Sequence, residues 1–483
     1  MTLMKLQHIK SLLAGTMLVL LTGSCTKDFE SLNTDPDNIQ EISPNTLLNP
    51  IIYELVTFNA ERSEGFTMDI MQVRLPWPSA SLGIHRYYVS ETAGNSTWNT
   101  YYRWLNNLNE MEKASISVEN HSYQAIALTL KAWVFSMLSD CFGDIPMTEA
   151  LQGEQGQLKP AFDNQQVVYT TILQYLEDAN NLFKDGHALA YGTEMLYNNN
   201  LSNWRRLCNS LHLRLLMRVS NRPEMNADQK MKQIVENPTD YPVFTSNTQS
   251  AIYKITGETP NLSPWSRYQD FITFRCAADF FVSTLNDFND PRREKWLTRA
   301  TDLGGADIGY KGIPSGYSGD ESQFAYNPSN LIRDLGIAPT MTITIMDYPE
   351  VEFIKAELAQ KGIIQTDANT HYEAGVKASI ERWGATLPAD YFTNPLAAYD
   401  GTLERILLQK YIALFFTDYQ QWFEYRRTRL PALPVNDGML NDKIMPVRFR
   451  YPDIAQITNT ENYQKAVQSM GGDDINTKVW WEK

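Results

Sequence analysis

The sequence predicts a mainly α protein in which paired helices form a scaffold and a large loop-rich portion is laid over them. Apolar residues recur at helical spacing through about 99–220 and again through about 347–429. Between these stretches, across about 238–344, glycines and prolines multiply and the helical period fades. With 483 residues, 43% of them hydrophobic and 12% aromatic, the chain has material for one large core or two fused ones.

The chain opens with Lys5 and Lys10, an apolar run from Leu12 to Leu21, and then Thr22-Gly23-Ser24-Cys25. A basic start, a short apolar run and small residues make an export signal. The run is too short to span a bilayer, which takes roughly 20 residues. Cys25 stands where a cleaved signal would end and is the expected lipidation site, although Thr22 stands where such boxes usually carry Leu. Each buried methylene contributes about 0.8 kcal/mol, so two or three acyl chains hold a protein firmly on a membrane. The expected organisation is a lipoprotein signal peptide (1–24), a lipidated tether (25–46) and a single domain (47–483). The polar turn-formers of 26–46 make that tether extended. No segment after residue 25 approaches transmembrane length.

From Leu47 to Arg74 an amphipathic pattern predicts a helix or two. Residues 75–98 (LPWPSASLGIHRYYVSETAGNSTW) read as a long loop that nonetheless carries Trp77, His85, Arg86, Tyr87, Tyr88 and Trp98. Helices follow at Asn99–Ala114 and His121–Phe142. The second places Leu128, Ala132, Phe135, Leu138 and Phe142 on one face and stops at Gly143-Asp144-Ile145-Pro146. Another runs from Asn164 to Lys184 with Asp163 as its N-cap. Ser202–Ser220 carries Trp204, Leu207, Leu211, Leu215 and Val219 as a stripe. Helix pairs of this length are similar to tetratricopeptide units, though their spacing drifts and the full consensus is missing.

Inside 238–344 only Arg275–Phe288 keeps a helical period; glycines from Gly304 to Gly319 punctuate a loop with Tyr310, Tyr317, Phe324 and Tyr326. Helices resume at Tyr348–Lys361, ended by Gly362, and at Asp367–Trp383 with Asp367 as N-cap. Thr402–Arg429 reads as the longest helix. The proline-rich tail ends in Val479-Trp480-Trp481, an aromatic end that packs down rather than hangs loose.

A net charge of −14 argues against nucleic acid and against an electrostatic hold on anionic lipid. Export would remove Lys5 and Lys10 and no acid. Cys141, Cys208 and Cys276 lie far apart in apolar surroundings and read as buried free thiols. The six histidines form no H-E-x-x-H. Ser315, in Gly312-Ile313-Pro314-Ser315-Gly316, lacks the G-x-S-x-G arrangement. No nucleotide-binding glycine motif is present. Asp473-Asp474, Glu352 with Glu357, and Asp144 read as caps and solvated faces, and Asp35-Pro36-Asp37-Asn38 as turn chemistry rather than a calcium loop. No catalytic residue, cofactor or metal is expected.

What remains is aromatic loops. Sugar rings present apolar C–H faces edged by hydroxyls, so their sites pair flat aromatic platforms with Arg, Asn, Asp and Gln. Residues 75–104 and 262–275 carry that mix. The candidate ligand-binding residues are Trp77, Arg86, Tyr87, Tyr88, Trp98, Trp265, Tyr268 and Tyr317.

A series of segments carries a family resemblance. It begins with Asp28-Phe29 and Leu32-Asn33-Thr34-Asp35-Pro36, then Asp140 to Ala150 (DCFGDIPMTEA), Trp204 with Ser210 to Leu215, and Asn289-Asp290-Pro291-Arg292. It continues with Tyr348 to Glu357 (YPEVEFIKAE), Gln409 to Leu414, Glu424-Tyr425-Arg426-Arg427-Thr428, and Val479-Trp480-Trp481. In this order, nearly end to end, the chain resembles the SusD/RagB family of surface lipoproteins, in the subgroup with the N-T-D-P start. The resemblance implies four tetratricopeptide-like helix pairs with a loop-rich ligand face and no catalysis. It also implies a glycan ligand and a place as lid on a SusC-like TonB-dependent transporter of the outer membrane. A peptide-binding lid, a lipid-anchored glycosidase and a plain helical scaffold are the alternatives. Family ligand residues vary in position, so the eight candidates rest on the loop argument alone.

Overall fold

Helix α1 (Pro44–Arg62) opens the body, with Pro44 in its first turn, where a missing N–H costs nothing. It begins ahead of Leu47, where the amphipathic pattern starts. The structure, a computed structural model, describes residues 43–189 and 192–483. The signal segment 1–24, Cys25 and the Asp28-Phe29 and Leu32 to Pro36 stretches lie outside the described residues.

After a π turn at Ser63–Thr67 and the first aromatic loop come α2 (Asn95–Ser117), α3 (His121–Phe142), α4 (Gln165–Leu182) and α5 (Leu201–Arg218). Helix α3 packs between α2 and α4, and α4 packs on α5. Contrary to the sequence expectation, α3 is long and apolar enough to cross a bilayer; its apolar window is wholly buried in protein, as befits a middle helix of a bundle. Asparagine side chains cap three of these helices, Asn120, Asn164 and Asn200 each accepting from backbone N–H groups of the first turn. Asp163 is therefore not the N-cap of α4. Its carboxylate turns back to accept from the N–H groups of Met147 (3.0 Å) and Thr148 (2.8 Å), because the loop after α3 leaves those donors otherwise unpaired.

A short helix that the sequence reading missed, α6 (Ala227–Glu236), packs on α5. Helix α7 (Asp279–Asp287) follows in the loop-rich portion, then α8 (Tyr348–Gln360) and α9 (Ala368–Arg382), capped by Asp347 and, as expected, Asp367. The span from Thr402 to Arg429 is not one helix. It divides into α10 (Leu403–Ala413) and α11 (Gln420–Thr428), with Phe416 (φ 59°) and Asp418 (φ 27°) in the left-handed region between them. Both halves are buried and no Gly or Pro stands between them, so the sequence gives no local sign of the bend. Helix α12 (Thr460–Met470) lies in the tail.

Helix α8 packs against α9, α10 and α5, and so joins the two paired-helix stretches. Arg214 on α5 donates to Glu350 on α8 (Nε to Oε1, 2.7 Å), with both side chains buried. Arg427 bonds Glu357 (2.7 Å) and Lys410 bonds Glu424 (2.7 Å) in the same interior. Such pairs fix geometry, since each partner left alone would be a buried charge. The tail is packed down: Trp481 Nε1 donates to Asp140 Oδ1 (2.8 Å), and Glu482 accepts from Arg426 (2.9 Å). Cys141, Cys208 and Cys276 are buried and free, and burial pushes their thiols up.

The loop-rich portion is stitched by short strands: β1 (Arg74–Pro76), β2 (Ser79–Ala80), β3 (Ala251–Lys254), β4 (Arg275–Ala277), β5 (Thr301–Asp302), β6 (Gly319–Asp320), β7 (Tyr326–Asn327) and β8 (Thr342–Met346). They pair antiparallel, β1 with β4, β2 with β6, β3 with β8 and β5 with β7. Two of these pairs, β1–β4 and β2–β6, join the loop after the π turn to segments far along the chain.

Candidate ligand-binding face

Strand β1 leads into Trp77, and its pairing with β4 sets that residue beside Phe274: the Trp77 N–H donates to the Phe274 carbonyl at 3.0 Å. The β2–β6 pair brings in the 317–326 loop. Trp77 and Phe324 then stand 5.8 Å apart, Tyr317 meets Phe324 edge-on at 5.6 Å, and Phe324 meets Tyr326 at 6.2 Å. These rings rest on Leu75, Cys276, Ala278 and Ile313, a small apolar cluster separate from the main core. The Tyr317 hydroxyl donates to the Pro76 carbonyl, and the Tyr326 hydroxyl to that of Gly312 (2.8 Å). Beneath them His85 is buried with Nε2 at 3.1 Å from the Tyr317 carbonyl; burial lowers its pKa to about 4, so the ring is neutral.

A second group adjoins the first through the Phe271–Phe274 stretch. Trp265 packs on Phe271 (4.7 Å) and Phe416 (6.1 Å), the latter presented by the bend between α10 and α11. Tyr268 is exposed and lies under the Arg333 guanidinium at 5.6 Å. Arg74 sits over the Phe271 ring at 4.7 Å.

A charged floor supports the junction. Glu64, on the π turn, accepts from Arg74 (2.9 Å) and Arg275 (3.1 Å), while Arg275 also reaches Asp69 (3.4 Å). Burial raises the Asp69 carboxyl to about 7, against the pull of Arg275. Arg275 keeps part of its surface open next to the rings.

The eight candidates divide. Trp77 and Tyr317 share the first group, where Tyr317 is buried with its hydroxyl turned inward to Pro76 and so supports the face without opening onto it; Trp265 and Tyr268 form the second. Tyr88 is exposed, whereas Tyr87 is buried in the left-handed region (φ 65°). Arg86 is committed to the carbonyls of Gly438 (2.7 Å) and Ser81 (2.6 Å). Trp98 stands apart: its ring neighbours are Tyr102, Phe142, Phe162 and Tyr451, none of them on the face.

Sequence reasoning named none of Phe274, Phe324, Arg275 and Arg333 as ligand residues, although Phe274 and Arg275 fall within its 262–275 stretch. Phe324 and Tyr326 were visible as loop aromatics, but their approach to Trp77 depends on pairing across more than two hundred residues. Phe274 is the clearest omission. It is 74% exposed and holds φ 60°, a conformation bulky residues rarely adopt. Among the described residues no three His, Cys, Asp or Glu side chains gather to hold a metal. Rings flanked by guanidinium and carboxylate groups can stack on a C–H face and bond its hydroxyls.

Paired helices carrying a loop-built aromatic face define a helical-scaffold binding protein. The SusD-like family, described as "Starch-binding associating with outer membrane", matches residues 36–452, and the chain belongs to that family. Solved structures share the fold. One, titled a chitin-binding protein, is 24% identical, with a TM-score of 0.78 over 91% of this chain and 100% of its own. A SusD homolog from Bacteroides fragilis gives 24% identity and 0.77 over 92% of this chain and 100% of its own. A chitin-binding SusD homolog from Flavobacterium johnsoniae gives 20% and 0.77 over 91% of this chain and 98% of its own. No curated relative matches the sequence.

Proposed function

We propose that this chain is a non-catalytic glycan-binding lipoprotein of the outer-membrane surface, anchored through Cys25, that captures an oligosaccharide and passes it to a SusC-like TonB-dependent transporter. The observation that carries this reading is the meeting of half-buried Trp77 and Phe324 over buried Tyr317, with exposed Phe274 joined to Trp77 through the backbone and Arg275 next to it in the chain. The family description and the chitin-binding neighbours support a carbohydrate ligand. A stacked ring contributes about 0.5–1.5 kcal/mol beyond its buried area. Trp77→Ala should therefore weaken oligosaccharide binding about tenfold or more in isothermal titration against maltoheptaose and chitohexaose. Peptide-array binding without glycan binding would replace this reading with the peptide-lid alternative. Released reducing ends, abolished by one Asp or Glu change, would replace it with a glycosidase. Loss of membrane partitioning in Cys25→Ala tests the anchor, and co-purification with a large β-barrel tests the partner.

A further inference from the structure

Trp98 opens a site of its own. It lines a cleft of about 320 Å³ between α2, the loop after α3, and the short helix Asp453–Thr458. Trp98, Tyr102 and Asn106 come from one face of α2 at four-residue spacing; Phe162 and Ile454 stand across from them. The rim is held by two bonds from the tail: Asn459 Nδ2 to the Pro160 carbonyl (2.7 Å) and Asn462 Nδ2 to that of Lys159 (3.0 Å). Leu151, also on the wall, takes a left-handed backbone (φ 63°), a conformation that concentrates at ligand clamps.

The lining is uncharged. No Asp, Glu, Lys, Arg or His contributes to it, in a chain where charged residues make up 20%. Two other clefts on the described surface are built differently: one holds Glu177, His212, Glu224 and Lys230, the other Glu112, Asp178 and Asp185. A charged guest in the Trp98 cleft would lose water and find no counter-charge, so the cleft selects a neutral one. It is not a purely greasy slot either. Among the described residues neither the indole N–H of Trp98, 8% exposed, nor the carboxamide of exposed Asn106 has a hydrogen-bond partner within the protein. Aromatic walls with unspent neutral donors and acceptors suit a ring that is apolar on its faces and hydroxylated at its edge. The volume lies at the lower end of small-ligand sites, which run about 300–1,000 Å³, and fits the end of a chain rather than a long stretch.

We infer that this cleft is a second, separate binding site for a neutral saccharide end. The inference rests on the glycan-binding reading but concerns residues outside the aromatic face. An apolar protein segment is the competing occupant; the free indole and carboxamide groups disfavour it.

Gly153 lines the cleft, is exposed, and has open space where a Cβ would be added, so Gly153→Trp puts a bulky side chain at the cleft rim without a backbone clash. Native mass spectrometry and calorimetry with maltoheptaose and chitohexaose would count bound ligands, with circular dichroism as the check on folding. The expected count is two for the wild type. It should fall to one in Gly153→Trp, whereas in Trp77→Ala one of the two sites should weaken about tenfold or more and the other keep its affinity, with the surface change Phe274→Ala as a second way to weaken the face. A count and affinity unchanged by Gly153→Trp would overturn the inference and leave the face intact. Loss of all binding in Trp77→Ala alone would do the same. Wild-type protein that binds neither probe would overturn the glycan reading and this site with it. An apolar peptide that binds the cleft and is not displaced by saccharide would make it a protein-docking surface.

Discussion

Trp481→Ala removes the pin that holds the tail to the scaffold. The indole is 1% exposed, lies under the Arg426 guanidinium at 4.6 Å and donates to Asp140 Oδ1 at 2.8 Å. Asp140 would keep Tyr169 (2.6 Å) and Arg218 (3.3 Å), so the carboxylate is not orphaned and the cost is mainly a cavity. Truncating a buried Trp costs about 3–5 kcal/mol. Unfolding entropy of about 2.1 cal/mol/K per residue makes each degree worth roughly 1 kcal/mol in a unit of this size. The melting temperature should fall by about 3–5 °C. Trp481→Phe keeps most of the packing and loses one hydrogen bond, about 1 kcal/mol, or about 1 °C. Differential scanning calorimetry of both variants reads the difference. An Ala variant within 1 °C of wild type, or a Phe variant as damaged as the Ala one, would refute the packing argument.

Two further predictions concern the scaffold and the floor of the face. The Asp69 carboxyl is raised to about 7 from an ordinary 3.8, so the folded state holds its proton more tightly than the unfolded one. Its contribution is complete below about pH 4 and is lost as pH rises through about 7. Asp69→Asn should therefore gain urea resistance relative to wild type on going from pH 5 to pH 8; a difference independent of pH would contradict this. Gly143, which ends α3, holds φ 90° and ψ −119°, and an added Cβ would collide with Met470 Sδ. Gly143→Ala should cost about 1–3 kcal/mol of backbone strain plus the displacement of Met470, read as a lower urea midpoint.

The helical scaffold was largely legible because helices are local. The N-cap Asp367, the stop at Gly143 and the limits of α3 each depend on residues within a turn or two. The reading failed where tertiary surroundings override local pattern. The bend at Phe416–Asp418 is invisible because both sides are buried and neither Gly nor Pro marks it. Asp163 lost its capping place to Asn164 because the amides of Met147 and Thr148, at the other end of the same connecting loop, claimed its carboxylate. The candidate site was legible as composition and not as arrangement. Loops rich in Trp, Tyr and Arg were identifiable, but whether a ring turns outward is set by strand pairing. Tyr87 and Tyr88 are adjacent, and one is buried while the other is exposed.

The sequence by itself determined the helical class, the buried free thiols, the packed aromatic tail and the family, since each is written in local periodicity or in ordered short motifs. Only the tertiary structure decided how the loop aromatics are grouped. Antiparallel contacts between residues 74–80 and 275–320 assemble Trp77, Phe274 and Phe324 into one face, and the packing of α2 against the tail puts Trp98 in a different cleft. Those contacts join residues hundreds of positions apart, and no local pattern encodes which distant partner a three-residue strand will meet.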